Sequence, residues 1–198
     1  MDFQIFITIL VGTVLINNLV LQQFLGACPF LGVSKEKKGA LGMSLAIIFV
    51  MLMATAATWP IYHFLLSPNG LGFLQTIVFI LVIATLVQLV EIALKKFVPP
   101  LYKTLGIYLP LMTTNCAIFA VTIVNIRENY SYLTSLVNAF GSGFGFLIAM
   151  LLFSGIREYT ENANPPKAFK GMPLTLISAA ILSFAFYGFS GIVENIFR

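Results

Sequence analysis

Five long runs contain no Asp, Glu, Lys or Arg, and they limit what this chain can fold into more than any other feature. They cover residues 3–34, 39–90, 104–126, 129–156 and 171–193, with His63 the single imidazole inside them. A helix that crosses a bilayer needs about 20 mostly apolar residues, so each run holds at least one crossing. The second run is long enough for two, divided at the turn signal "SPNG" over residues 67–70. Composition agrees with this reading. The chain is 59% hydrophobic and 9% charged, against about 25% charged residues in soluble domains. The polar stretches between the runs are too short for a separate soluble domain. Residues 1–198 are therefore expected to form a single all-α integral membrane domain of six transmembrane elements. The opening "MDFQIF" has no basic n-region and leads to no small-residue cleavage site, so the first segment is expected to be retained.

The net charge of +4 does not point to nucleic acid, because the basic residues lie between the apolar runs. Lys35, Lys37, Lys38, Lys95, Lys96, Lys103, Arg157, Lys167 and Lys170 follow segments 1, 3 and 5, whereas Arg127 and Arg198 follow segments 4 and 6. Basic loops stay on the cytoplasmic side. This predicts cytoplasmic loops 1, 3 and 5, with both termini outside.

The chain also reads as two related halves, residues 1–97 and 98–198. "LVEIALKK" near the end of segment 3 matches "IVENIFR" near the end of segment 6. "GALGMSLAIIFVMLM" of segment 2 matches "GSGFGFLIAMLLFSG" of segment 5. Cys28 in segment 1 stands opposite Cys116 in segment 4. A repeat of three spans must insert upside down relative to its copy, which predicts two inverted three-helix repeats. Segments 1 and 4 are expected to be discontinuous helices. Gly26 and Pro29 in "GACP" interrupt the first, and Pro110 followed by "TTNC" interrupts the fourth. Lipid cannot satisfy the freed backbone groups, so both breaks should face protein or a cofactor.

Cys28 and Cys116 are the two cysteines of the chain. The residues alone leave three roles open: small buried hydrophobe, disulfide or metal ligand. Iron–sulfur clusters usually take four thiolates, so ligation would require two more from another chain. Asn17, Asn18, Gln22, Gln23, Thr113, Thr114 and Asn115 either form interhelical hydrogen bonds or line the breaks, and Thr114 and Asn115 are the best placed to support Cys116. Glu91, Arg157, Glu158 and Glu194 at segment ends are read as snorkelling and i,i+4 pairing. His63 reads as interfacial, like Trp59 and Tyr62. Gly141, Gly143 and Gly145 in "GSGFG" read as small-residue helix packing. No Ser/His/Asp triad or carboxylate pair stands out.

At the cysteine stretches, "NNLVLQQFLGACPFLGVSK" and "LGIYLPLMTTNCAIFAV", the sequence resembles the RnfA/NqrE family of membrane subunits. "TIVFILVIATLVQLVEIALKK", "GFLIAMLLFSGIRE" and "PPKAFKGMPLTLISAAILSFAFYGFSG" extend the resemblance over nearly the whole chain. It implies an electron-relay subunit of an ion-translocating ferredoxin:NAD+ oxidoreductase in the bacterial cytoplasmic (inner) membrane. It also implies that Cys28 and Cys116 are ligands to a [2Fe–2S] cluster shared with a homologous RnfE-like subunit of opposite orientation, with Gly26, Pro29, Thr114 and Asn115 holding those ligands in place. RnfB, RnfC, RnfD and RnfG are the further partners implied, and the relay runs between the iron–sulfur subunit RnfB and the flavin-bearing RnfG. A different class, an inverted-repeat secondary transporter or channel without a redox cofactor, is the rival expectation.

Overall fold

The computed structural model describes residue 10 and residues 12–16, 18–34, 37–70, 72–97, 115–162, 166 and 169–196. Those residues form α1 (Leu19–Gln23), α2 (Ala27–Val33), α3 (Lys37–Ile61), α4 (Gln75–Phe97), α5 (Cys116–Arg127), α6 (Tyr132–Asn162) and α7 (Met172–Ile196). A π-helical segment, Gly12–Ile16, precedes α1, another, Tyr62–Leu66, continues α3, and a 3₁₀ turn, Gly72–Leu74, leads into α4. Three helical stretches among the described residues are long and apolar enough to cross a membrane: Gly39–Leu66, Gly72–Ala93 and Tyr132–Thr160. Gly12–Gln23 and Ala27–Val33 form an apolar pair bent by 83°, the geometry of a broken span or a re-entrant loop, while Cys116–Arg127 and Met172–Gly188 are shorter apolar helices.

α3 and α6 form the centre. Met43, Ile47, Val50, Met51 and Ala54 recur at helical spacing along one stripe of α3. They are buried in one cluster with Ala139, Phe146, Ala149, Met150 and Phe153 of α6, and Ile118 and Val121 of α5 join them. In a bilayer this association rests on van der Waals packing, which strengthens when small residues let backbones approach. The "GSGFG" stretch supplies that approach. A Cβ on Gly143 would lie 2.8 Å from Ile48 Cγ1 and 3.2 Å from its Cα. On Gly141 it would meet Thr13 Oγ1, and on Gly145 it would lie 3.4 Å from both Thr13 O and Val14 Cα. These glycines thus seat α6 against α3 and against the segment ahead of α1, as small-residue packing predicts. α4 is peripheral: 17% of its apolar stretch is buried, compared with 56% for α6.

The division at residues 67–70 is observed as a turn, with Gly70 at φ 66°. Just before it, Pro60 lies inside α3. Proline removes a backbone donor, and the π-helical turn Tyr62–Leu66 begins two residues later, with Ser67 N–H closing on Tyr62 O at 2.9 Å. Trp59 stacks on His63, with ring centroids 4.4 Å apart, and its Nε1 donates to Tyr130 O at 3.0 Å.

Two expectations need revision. Pro29 does not break segment 1: it occupies the third position of α2, in the first turn, where a backbone N–H has no intrahelical partner to lose. The break lies upstream, at Phe24 and Gly26. Arg157 does not snorkel. It is buried and bonded to the end of α2, while its neighbour Glu158 pairs with Lys37 across the surface.

Candidate functional site

Segment 1 is divided by side-chain and backbone devices that can be read residue by residue. Asn18 caps α1, its Oδ1 accepting the N–H groups of Val20 and Leu21 at 3.1 and 3.4 Å. Its Nδ2 donates to Gly145 O on α6 at 2.9 Å, tying the cap to the glycine seam. α1 then ends at Phe24, which adopts the left-handed conformation at φ 53°. Gly26, at φ 81°, starts α2. A left-handed position costs little for glycine and is uncommon for other residues, so two such positions within three residues turn the chain sharply. Cys28 follows as the second residue of α2 and is exposed.

The helix start at Cys116 has a different construction, and the interruption expected at Pro110 lies outside the described residues. Asn115 is extended at φ −72°, ψ 112°, and its Oδ1 accepts Ala117 N–H at 3.0 Å. This is the usual use of Asn at a helix N-cap. Cys116 is the first residue of α5 and is half-buried. Both thiols therefore lie in the first turn of a helix.

The fold brings the two breaks together. Gly26 N–H donates to Cys116 Sγ at 2.9 Å, across 90 residues of sequence. A Cβ on Gly26 would lie 3.0 Å from Phe146 Cε2, 3.2 Å from Ala117 Cβ and 3.4 Å from Asn115 Oδ1. A side chain here would crowd the start of α5 and α6 and would have to hold a positive φ. Other freed backbone groups of segment 1 also find protein partners. Ser183 Oγ on α7 donates to Leu21 O, and Arg157 Nη1 on α6 donates to Leu31 O at 2.6 Å.

Among the predicted site residues, Gly26, Asn115 and Cys116 are thus in one cluster, with Cys28 in the first turn of the helix that Gly26 starts. Pro29 is buried in that turn. Thr114, with Asn17 and Thr113, lies outside the described residues. Sequence reasoning missed Phe24, Phe146 and Ser183, and it read Arg157 as snorkelling. Phe24 carries no composition signal, since nothing in its type predicts a left-handed backbone. An arginine beside an apolar run looks the same whether it faces solvent or a neighbouring helix end.

The donor set suits a thiolate-ligated metal group with part of its ligands supplied elsewhere. Two sulfurs are present, one of them exposed. Asn115 Nδ2 is buried beside Cys116 without a hydrogen-bond partner, a donor that a bound anionic sulfur would satisfy. Among the described residues, no three His, Cys, Asp or Glu side chains gather.

Taken together, the apolar helices and the contact between the two cysteine-bearing helix starts define a helical membrane subunit. The chain belongs to the family described as "Rnf-Nqr subunit, membrane protein", whose pattern matches residues 6–193. It is 52% identical to the A component of the ion-translocating oxidoreductase complex of Syntrophotalea carbinolica over 187 residues, 94% of this chain and 97% of that one. It is 49% identical to the A component of the Na(+)-translocating ferredoxin:NAD(+) oxidoreductase complex of Acetobacterium woodii over 185 residues, 93% of this chain and 96% of that one. With the A component of the ion-translocating oxidoreductase complex of Aliivibrio fischeri the identity is 45% over 189 residues, 96% of this chain and 98% of that one.

Proposed function

We propose that this chain is a non-catalytic electron-relay subunit of a membrane-bound, ion-translocating ferredoxin:NAD+ oxidoreductase. The names of relatives at about half identity over nearly full length support the complex. The observation that supports the relay is the Gly26 amide on Cys116 Sγ, because it sets Cys116 against the N-cap of the helix that carries Cys28, 90 residues away in sequence. In this reading Cys28 and Cys116 hold half of a [2Fe–2S] cluster, which when bound would supply one-electron storage. Gly26 orients Cys116 through its backbone N–H, Asn115 caps the helix that Cys116 starts, and Phe146 packs behind Gly26. Because the ligand set is half complete, a homologous subunit inserted in the opposite orientation supplies the other two thiolates and covers exposed Cys28. The six-element architecture follows from the same reading: α1 with α2, α3 and α4 form one inverted repeat, and the segment containing α5 forms the other with α6 and α7. Nine of the eleven basic residues orient the repeats with both termini outside the bacterial inner membrane.

The test is iron content. The chain co-expressed with an oppositely oriented homologue should carry about two irons per pair, a [2Fe–2S] complement for one four-thiolate site, and should show visible absorption that bleaches on reduction. Cys28→Ser and Cys116→Ser should each lower that iron at least about tenfold while the chain still inserts. Normal iron in either variant removes that cysteine from the ligand set. A colourless wild-type pair would return the chain to the transporter class.

A further inference from the structure

α2 is seven residues long, below the ~12–15 residues at which an isolated helix becomes even marginally stable in water. Its own sequence does little to hold it. Gly26, its N-cap, makes no side-chain capping bond, and the last carbonyls of any helix lack intrahelical partners. Its position has to be set from outside, and α6 does so with two side chains one turn apart. Phe153 stacks along the side of α2 on Phe30, with centroids 4.2 Å apart. Arg157 reaches over its end, Nη1 donating to Leu31 O at 2.6 Å and to Ser34 Oγ at 2.8 Å, Ser34 being the C-cap. A cation at this end faces the negative pole of the aligned peptide dipoles, an arrangement that stabilises most when partly buried. Arg157 is 8% exposed, so its charge has left water and depends on these acceptors staying in place. The helix held in this way presents Cys28 in its first turn.

We propose that Arg157 is the positioning residue for Cys28. By fixing the depth and rotation of α2 from its C-terminal end, it sets where the exposed thiol stands relative to Cys116. The consequence for a shared cofactor rests on the reading of Cys28 as a ligand. The position of the thiol itself can be measured without iron.

The full chain is expressed alone in membranes and treated with a membrane-permeant maleimide. Modification at both cysteines is followed by peptide mass spectrometry, with Cys116 as the internal reference. Arg157→Gln should change the Cys28-to-Cys116 rate ratio about tenfold. Arg157→Lys keeps the cation and should stay within about threefold of the wild type. A ratio unchanged in Arg157→Gln overturns the proposal, as does a lysine variant indistinguishable from glutamine. If Arg157→Gln does not accumulate, Ser34→Ala decides. It removes one acceptor and leaves the cation, and a shift of about twofold to threefold supports the proposal, whereas no shift ends it. Iron in the co-expressed pair separates the two readings. A shifted ratio with normal iron in Cys28→Ser keeps the positioning role and ends the ligand reading. An unchanged ratio with iron lost in Cys28→Ser does the reverse.

Discussion

The two cysteine-bearing helix starts carry the same reactive group and are built from different materials. The break before Cys116 is closed by a side chain: Asn115 caps α5, and the thiol is half-buried under the Gly26 amide. The break before Cys28 is made by backbone, with Phe24 and Gly26 at positive φ, and leaves its thiol exposed. The first break is also held by several distant residues, since Asn18, Leu21 and Leu31 are bonded to Gly145, Ser183 and Arg157. A side-chain cap fixes a thiol locally. A backbone turn can place one where a neighbour can reach it, but the turn must then be braced from elsewhere.

Substitution at the junction should break this comparison most severely. Gly26→Ala places a Cβ among Phe146, Ala117 and Asn115 at a φ of 81°. It should destabilise the chain by about 2–3 kcal/mol from backbone strain and overpacking, read as a lower midpoint in detergent-titrated unfolding. It should also free Cys116, raising its alkylation rate. An unchanged rate would show that the two breaks are not coupled through Gly26. Asn18→Ala should come next, at about 1–2 kcal/mol by the same measurement, because it removes a helix cap and the bond to Gly145 O.

Asn115 sharpens the comparison, because two variants separate its two polar atoms. Asn115→Ala should cost about 1 kcal/mol through the lost cap. Asn115→Asp keeps an acceptor for Ala117 N–H and loses the Nδ2 donor, so unfolding should move little while the iron of the co-expressed pair falls. Equal iron in Asn115→Asp and wild type would leave the buried Nδ2 without a role at the thiols. The smallest effect belongs to Lys37→Ala. Lys37 and Glu158 are 65% and 55% exposed, and a pair so solvated should contribute no more than about 0.5 kcal/mol. Glu158 adjoins Arg157 in sequence, so this variant also shows whether brace effects at Arg157 arise from burial or merely from surface charge in that region.

The sequence shows most clearly what periodicity and composition encode. The turn at residues 67–70 and the close-packing role of "GSGFG" follow from properties of neighbouring residues, and the structure places both as expected. Gly26, Asn115 and Cys116 were visible as candidates because glycine, asparagine and cysteine are conspicuous inside apolar segments. What could not be read was the partner of each. Arg157 joins Leu31 across 126 residues, and no local pattern distinguishes a cation that meets a helix end from one that meets water. Pro29 misled for a related reason. Proline disrupts a helix interior but is at home in a first turn, and which of these applies depended on a turn made upstream by Phe24, whose conformation its residue type does not announce.

The brace on α2 also has a meaning in time. Leu31 and Ser34 are synthesised 126 and 123 residues before Arg157. At roughly 5–20 residues per second, typical of translation, the short helix waits roughly 6–25 s for the residue that bonds its end. During that interval the first half of the chain is in the membrane with a bend it cannot yet hold. The site around Cys28 is therefore an outcome of the completed chain, and premature termination anywhere before α6 would leave a thiol inserted in the bilayer but not yet placed.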